Sequence, residues 1–466
     1  MNLKRLFSAR DMTLGAPWQR ILEFSIPMLL GNIAQQLYNT ADSVIVGHYV
    51  GDNALAAVGS ASPILNLLLA LFVGISTGAG IVVSQSFGAR DREGLSKGIG
   101  NCITLTVIAT LFIMIFGPVI TRPMLELLDT PASIIDWCTD YLNIFFWGVA
   151  GFFFYNMLSG ILRGLGDSLS ALGFLLLAAA LNVVLDLVFV AKFGMGVPGV
   201  ALATVISQGI SAVFCFIKLM KMGDHFALTK NTVRLEKDMA MRIIRIGVPS
   251  GITQAIMSMS MMVVQSLTNS MGEMIIAANV MIMRVDGFAM MPNFSFGQAM
   301  SVYSGQNVGA GKWDRVKKGV IQGSIIAIAF AVAIVAVILA ANTFLFSIFT
   351  DTQALIDLAS QMMNIMAVGY IAMSITQVLG GVMRGSGDTV TPMWISIIST
   401  VVLRIPVAYA LAAITRSEAW PHGHPFSLSA SLLVSWTMGM VMSLAAYRWG
   451  KTRKMIHKEM EQQKGE

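Results

Sequence analysis

The chain has 466 residues, of which 55% are hydrophobic and 12% charged, about half the charged share of an ordinary soluble domain. Its mean hydropathy is +0.72, and its net charge of +6 comes from 31 Lys and Arg against 25 Asp and Glu. These values exclude a soluble globular domain. With no basic run interleaved with aromatics, they also argue against a nucleic-acid partner.

Apolar runs of about the 20 residues that a bilayer demands recur from end to end. Twelve predicted spans lie near 21–47, 55–86, 98–119, 135–161, 170–191, 199–220, 243–268, 275–306, 319–343, 355–381, 391–413 and 427–449. In the first, Asn32, Gln35, Asn39 and Asp42 are spaced by three, four and three residues. That spacing keeps them on one helix face, which must point at a cavity or a neighbouring helix. Pro27 interrupts the same helix, removing a backbone hydrogen bond and permitting a kink. In the fifth, "LNVVLDLVFV" sets Asn182 and Asp186 four residues apart. In the sixth, Thr204, Gln208 and Ser211 form a third polar stripe.

The eighth span carries Asp286. Arg284, two residues away, faces elsewhere, whereas Arg404 on the eleventh span can neutralise it; a structural ion pair and a substrate contact are equally compatible with that. Methionine is abundant, with 33 residues and runs at "MSMSMM" (257–262) and "MRVDGFAMM" (283–291). Flexible thioethers suit a promiscuous pocket and are equally common as lipid-facing filler. Met257 and Met261 are candidates for a pocket near Asp286.

Basic residues orient the spans. With the N-terminus inside, 26 of the 31 Lys and Arg fall in cytoplasmic segments and three, Arg122, Lys192 and Arg416, in outer loops. This asymmetry is the positive-inside pattern, and it predicts an even number of spans with both termini cytoplasmic. No small-residue cleavage site follows the first apolar run, so no signal peptide is expected. Cys102, Cys138 and Cys215 lie in or beside apolar helices without CxxC spacing, and read as inert helix residues. His422 and His424 in "WPHGHPF" read as an outer-loop turn rather than a metal site.

The chain repeats itself. "LRGLGDSLSALGF" (162–174) matches "MRGSGDTVTPMWI" (383–395) at an offset of 221, which sets Arg163, Gly164, Gly166 and Asp167 on Arg384, Gly385, Gly387 and Asp388. At the same offset "QSFGARDREGLSKGI" (85–99) lies on "QNVGAGKWDRVKKGV" (306–320), and "ILEFSIP" (21–27) lies on "IIRIGVP" (243–249) at 222. The predicted organisation is an N-terminal six-helix lobe over 1–220, a cytoplasmic linker over 221–242, a C-terminal six-helix lobe over 243–450 and a tail over 451–466. An even number of spans per half gives both the same orientation, with an axis along the membrane normal. The RGxGD turns read as structural: glycines for a tight turn, Asp as the cap of the next helix.

Only one half keeps its acids. At these offsets Asn182 becomes Leu403, Asp186 becomes Val407, Asn39 becomes Met261 and Asp42 becomes Val264. Asp42, Asp186, Asn182 and Thr204 offer only oxygen ligands, which suits a hard monovalent cation or a transferable proton. An intramembrane acid is a functional residue by default; the competing reading makes each one a helix-packing hydrogen-bond partner.

These features together resemble the multidrug and toxic compound extrusion (MATE) transporters over nearly the full chain. The resemblance rests on "SIPMLLGNIAQQLYNTADSVIVGHYVG", "QSFGAR", "GQNVGAG" and the paired RGxGD turns, and is to the DinF-like branch. It implies an all-α polytopic membrane protein whose twelve transmembrane helices form two pseudo-symmetric six-helix lobes in a V. It implies coupling residues at Asp42, Asn182, Asp186 and Thr204 and a helix kink at Pro27. The acids that the NorM-type branch carries on its seventh and tenth helices are absent here, from 243–268 and from 358–381.

The implied activity is secondary antiport: export of small organic cations or other amphipathic compounds in exchange for H⁺ or Na⁺, with no cofactor and no metal beyond Na⁺ at the coupling site. Gln35, Asn39, Gln208, Asp286, Met257 and Met261 are the substrate-cavity candidates. A monomer surrounded by membrane lipid in a cell inner membrane is expected. Two other readings compete. A flippase for a lipid-linked saccharide would favour extra spans and a strongly cationic cavity, where the central candidates here are acidic. A membrane-embedded enzyme would need a nucleophile or metal set, and neither HExxH nor an intramembrane His occurs.

Overall fold

A computed structural model describes residues 9–127, 130–229 and 232–465, and these are helical without strands. The polar first span is one long helix, α1 (Pro17–Tyr49), with Pro27 inside it. It is followed by α2 (Asp52–Gly88) and α3 (Arg92–Leu127). The span predicted near 135–161 is two helices, α4 (Ile135–Trp147) and α5 (Val149–Gly164), bent by 54°. Next come α6 (Ser168–Asp186), which continues into a π-helical turn over Leu187–Lys192, and α7 (Gly196–Met220).

The second half repeats this plan. It comprises α8 (Lys237–Ser270), α9 (Glu273–Ala289), α10 (Met291–Gly309) and α11 (Trp313–Ser347). A second bent pair follows, α12 (Gln353–Ala367) and α13 (Gly369–Gly385), at 42°. Then α14 (Val390–Ile397) passes through a π-helical turn over Ile398–Leu403 into α15 (Arg404–Ile414), and α16 (Phe426–Trp449) closes the half before the charged α17 (Lys451–Gly465).

Among the described residues nine helices are long and apolar enough to cross a membrane, and the two bent pairs raise this to eleven. The twelfth predicted span is α1. Its polar stripe lowers its hydropathy, so length and composition alone pass it over.

The first bend occurs at Gly148 and the second at Val368, beside Gly369, which the repeat sets on Gly148. A Cβ at Gly369 would sit 2.5 Å from the Trp436 ring on α16, and one at Gly148 would run into Val205 on α7. Each half therefore bends at or beside the place where its last helix presses on a residue without a side chain. The RGxGD turns are structural, as their spacing predicts. Gly166 and Gly387 have φ of 84° and 88°, a region glycine enters freely. The Asp167 carboxylate accepts from the Ser170 N–H at 2.9 Å, and that of Asp388 from the Thr391 N–H at 3.2 Å and its hydroxyl at 2.8 Å.

The chain divides into two compact units, and two of the three divisions fall inside helices, one in α1 and one in α8. One unit holds Ile26–Gly251 and the segment ending at Met12; the other holds Thr13–Ser25 and the chain from Ile252 onward. The start of α1 belongs to the second unit, where the Trp18 N–H donates to Gln322 Oε1 at 3.0 Å. The repeat-related Pro27 and Pro249 thus each lie within two residues of the point where a helix passes from one unit to the other.

Within the first unit, Gly74 and Gly78 of α2 meet Gly247 and Gly251 of α8. A Cβ at Gly78 would lie 2.6 Å from the Gly247 nitrogen, and one at Gly247 would lie 2.5 Å from the Ile75 Cα. The backbones touch, as in small-residue crossings generally. Gly247→Val should cost about 1–3 kcal/mol and lower the melting temperature in detergent by several degrees. Gly59→Ala, which meets nothing within 4 Å, is the control; equal melting of the two variants would refute the close crossing.

Candidate functional site

Three elements bring the first-half polar residues together. α1 supplies Tyr38 and Asp42, α6 supplies Asn182 and, as its last residue before the π-helical turn, Asp186, and α7 supplies Thr204. Asn182 and Asp186 are fully buried. A carboxylate cannot donate, so the Asn182 amide is oriented with its nitrogen toward Asp186. In that orientation it donates to Asp186 Oδ2 at 2.8 Å, and its oxygen accepts from the Thr204 hydroxyl at 3.3 Å. The Tyr38 phenol is a further hydrogen-bond partner of the Thr204 side chain, and that hydroxyl also reaches the Val200 carbonyl at 3.2 Å.

The carboxyl groups of Asp42 and Asp186 lie near enough to each other to interact directly. Each keeps one buried oxygen, Oδ1, with no hydrogen-bond partner among the described residues. Two carboxylates cannot bond to one another without a proton or a cation between them. The donor set fits either: several oxygens, no nitrogen or sulfur ligand, and a hard character that suits Na⁺ better than a soft metal. Farther along the same faces, Gln35 Nε2 donates to Asn39 Oδ1 at 3.4 Å. Gln208 is buried on α7 with Oε1 unpartnered.

The remaining candidates fall in the second half. Met257 and Met261 on α8 and Asp286 on α9 line one cavity of about 380 Å³, within the range of small-molecule sites. Met283, Met290, Met366 and Met373 join them, so part of the methionine excess is pocket lining. Asp286 accepts from the Tyr370 hydroxyl at 2.8 Å and interacts electrostatically with Arg404. Arg284 is exposed and does not line the cavity.

Among the charged lining residues, sequence reasoning missed one. Arg384, read there as part of a turn, opens into this cavity with Asp286 and Arg404, and these are its charged lining residues. The cavity therefore sets two guanidinium groups against one carboxylate. The acidic character expected of the central residues is found in the first-half pair alone, because only the stripes on α1 and α6 are visible in the sequence as spaced acids. The signal available was Gly380, which stands where the first half has Ser159.

The remaining polar groups fall to structure. His424 accepts from the Phe426 N–H at 3.3 Å and packs on Trp420 and Phe426, as a turn residue should. Cys102, Cys138 and Cys215 are buried and free. Among the described residues no group of three or more His, Cys, Asp or Glu could hold a metal ion.

The MatE family model matches twice, over residues 27–188 and 249–410, the 222-residue offset of the two prolines. The probable multidrug resistance protein YoeA of Bacillus subtilis is 28% identical over 427 residues, covering 90% of this chain and 92% of that protein. Two crystal structures of a MATE, one in the straight and one in the bent conformation, superpose with TM-scores of 0.86. Each is 24% identical and covers 97% of this chain and 98% of the other.

The facing carboxyls can be tested without reference to transport. Asn182→Leu strips Asp186 of its donor and should cost roughly 1–3 kcal/mol, read as a drop in melting temperature. Asp42→Asn places an amide donor against Asp186 and should hold or raise that temperature. If Asp42→Asn melts as low as Asn182→Leu, the two side chains do not face each other.

Proposed function

The chain belongs to the MatE family of efflux transporters, and we propose that it is a secondary antiporter driven through the Asp42–Asp186 pair. The observation that carries this reading is the pair itself: two carboxyls turned toward each other, each with an unpartnered oxygen, in the one half of a duplicated chain that retains them. A purely structural polar contact would be satisfied from within. This one leaves an oxygen of each acid open to an ion.

In the proposed cycle a proton or Na⁺ arriving from outside enters between the carboxyls, with Asn182 and Thr204 holding Asp186 in place. Neutralising the pair removes the repulsion that keeps α1 and α6 apart, so ion binding favours the form in which they close. Only such a difference in affinity between two forms can drive a change of shape. Pro27 supports the hinge role: it lacks the N–H that would tie that turn of α1, and it lies beside the point where the helix changes units. The solved relatives in straight and bent conformations are consistent with such a change. The cargo is a small organic, amphipathic compound, as the multidrug relatives suggest, and Gln35, Asn39 and Gln208 are the polar residues through which the first half would meet it. The charge asymmetry places both termini in the cytoplasm.

The test is efflux of ethidium from cells expressing the wild type, Asp42→Asn or Asp186→Asn, with the H⁺ and Na⁺ gradients collapsed separately. The wild type should lose efflux with one gradient only, which names the ion. Asp186→Asn should fall at least tenfold while reaching the membrane in equal amount. Normal export by Asp186→Asn would make it a helix-packing residue and remove the coupling site from this half.

A further inference from the structure

The second-half cavity carries more positive charge than its role as a methionine-lined pocket explains. Its three charged residues are Asp286, Arg404 and Arg384. Asp286 and Arg404 carry opposite charges that interact, Arg404 Nε is buried without a hydrogen-bond partner among the described residues, and the Tyr370 hydroxyl donates to Asp286 at 2.8 Å. Arg384 is left over: it has no hydrogen-bond or ion-pair partner among the described residues. A guanidinium that opens into a cavity is a ready partner for a carboxylate, phosphate or similar group.

The repeat shows that this is specific to one half. The related Arg163 donates from Nη1 to Ser159 Oγ at 2.9 Å. At the position of Ser159 the second half has Gly380, and a Cβ placed there would come within 3.2 Å of Arg384 Nη1. The second half has no hydroxyl at the position that serves the first-half arginine, and its guanidinium lines a cavity. The cavity wall mixes thioether and aromatic side chains, Phe294 and Trp436 among them, with neutral hydroxyl and amide groups such as Gln377 and Ser443.

We propose that this cavity is a binding site for an amphipathic anion, whose carboxylate, sulfonate or phosphate pairs with Arg384 while its apolar body lies on the methionine and aromatic wall. The proposal deepens the efflux reading by giving the second half its own class of cargo, and it does not depend on which ion drives the first half. Arg384 supplies a fork of N–H donors suited to two oxygens of such a group. The Asp286–Arg404 pair keeps the rest of the site near neutral, so the net preference is set by one residue. A soluble organic anion and an anionic lipid headgroup share this chemistry.

The test is equilibrium binding of taurocholate, an amphipathic sulfonate, and of tetraphenylphosphonium, an apolar cation, to purified full-length protein in dodecylmaltoside. The wild type should bind taurocholate; Arg384→Gln should weaken that by about tenfold or more, the worth of one charge-assisted contact, without weakening tetraphenylphosphonium. Gly380→Ser restores the first-half partner of the arginine and should weaken taurocholate severalfold, while Arg384→Lys should retain part of it. If Arg384→Gln fails to fold, Gly380→Ser and Arg384→Lys decide. Displacement of taurocholate by phosphatidylglycerol would assign the site to a lipid headgroup, and no displacement would assign it to a soluble anion. Taurocholate binding that is absent in the wild type, or unchanged in Arg384→Gln and Gly380→Ser, would overturn the proposal. Ethidium efflux by the same variants reports separately on the transporter reading.

Discussion

Two carboxyl groups that face each other with no donor between them are the constraint around which the first half is arranged. Neither Asp42 nor Asp186 can satisfy the other while both are charged, and no water fills an apolar interior at will. Everything near them answers that problem in part. Asn182 gives one hydrogen bond to Asp186, Thr204 fixes the Asn182 amide, and Tyr38 reaches Thr204 from the same helix as Asp42. The answer is incomplete by one oxygen on each acid.

Duplication explains how such a site could arise without rebuilding a fold. Both halves keep the glycine bends, the capped RGxGD turns, a proline early in a long helix and a π-helical turn. These features position helices, and the chain retains them in both copies. Among the many side chains that differ, a few change charge or hydrogen bonding at the sites described above. Asp186 stands against Val407, Asp42 against Val264, and Ser159 against Gly380. The first half concentrates negative charge and the second leaves a positive group open. Two copies of one scaffold have been given opposite polarities by a handful of substitutions.

The sequence made part of this legible, and the reasons for the remainder are physical. Span positions, the offset of 221 and the polar stripes could be read because hydropathy and the 3.6-residue period are local properties. The bends were not read, although Gly148 and Gly369 lie at the repeat offset, since the residues pressing on them, Val205 and Trp436, come from distant helices. The role of Arg384 was hidden because its motif has a complete structural explanation in the turn. Only the exchange of its hydroxyl partner for Gly380 hinted at more. The π-helical turns left no mark in the composition at all.

The turn that follows Asp186 has one further consequence. A π-helical stretch holds more residues per turn than an α-helix, so Leu187–Lys192 stores surplus chain directly beside the buried acid. Returning it to α geometry would pass one residue along the helix, and each residue passed rotates what lies on one side by about 100°. Such a rotation swaps an inward side chain for an outward one without unwinding the segment. The carboxyl pair thus sits at the end of a screw thread with slack in it, where a small axial advance changes which residues the pair can see.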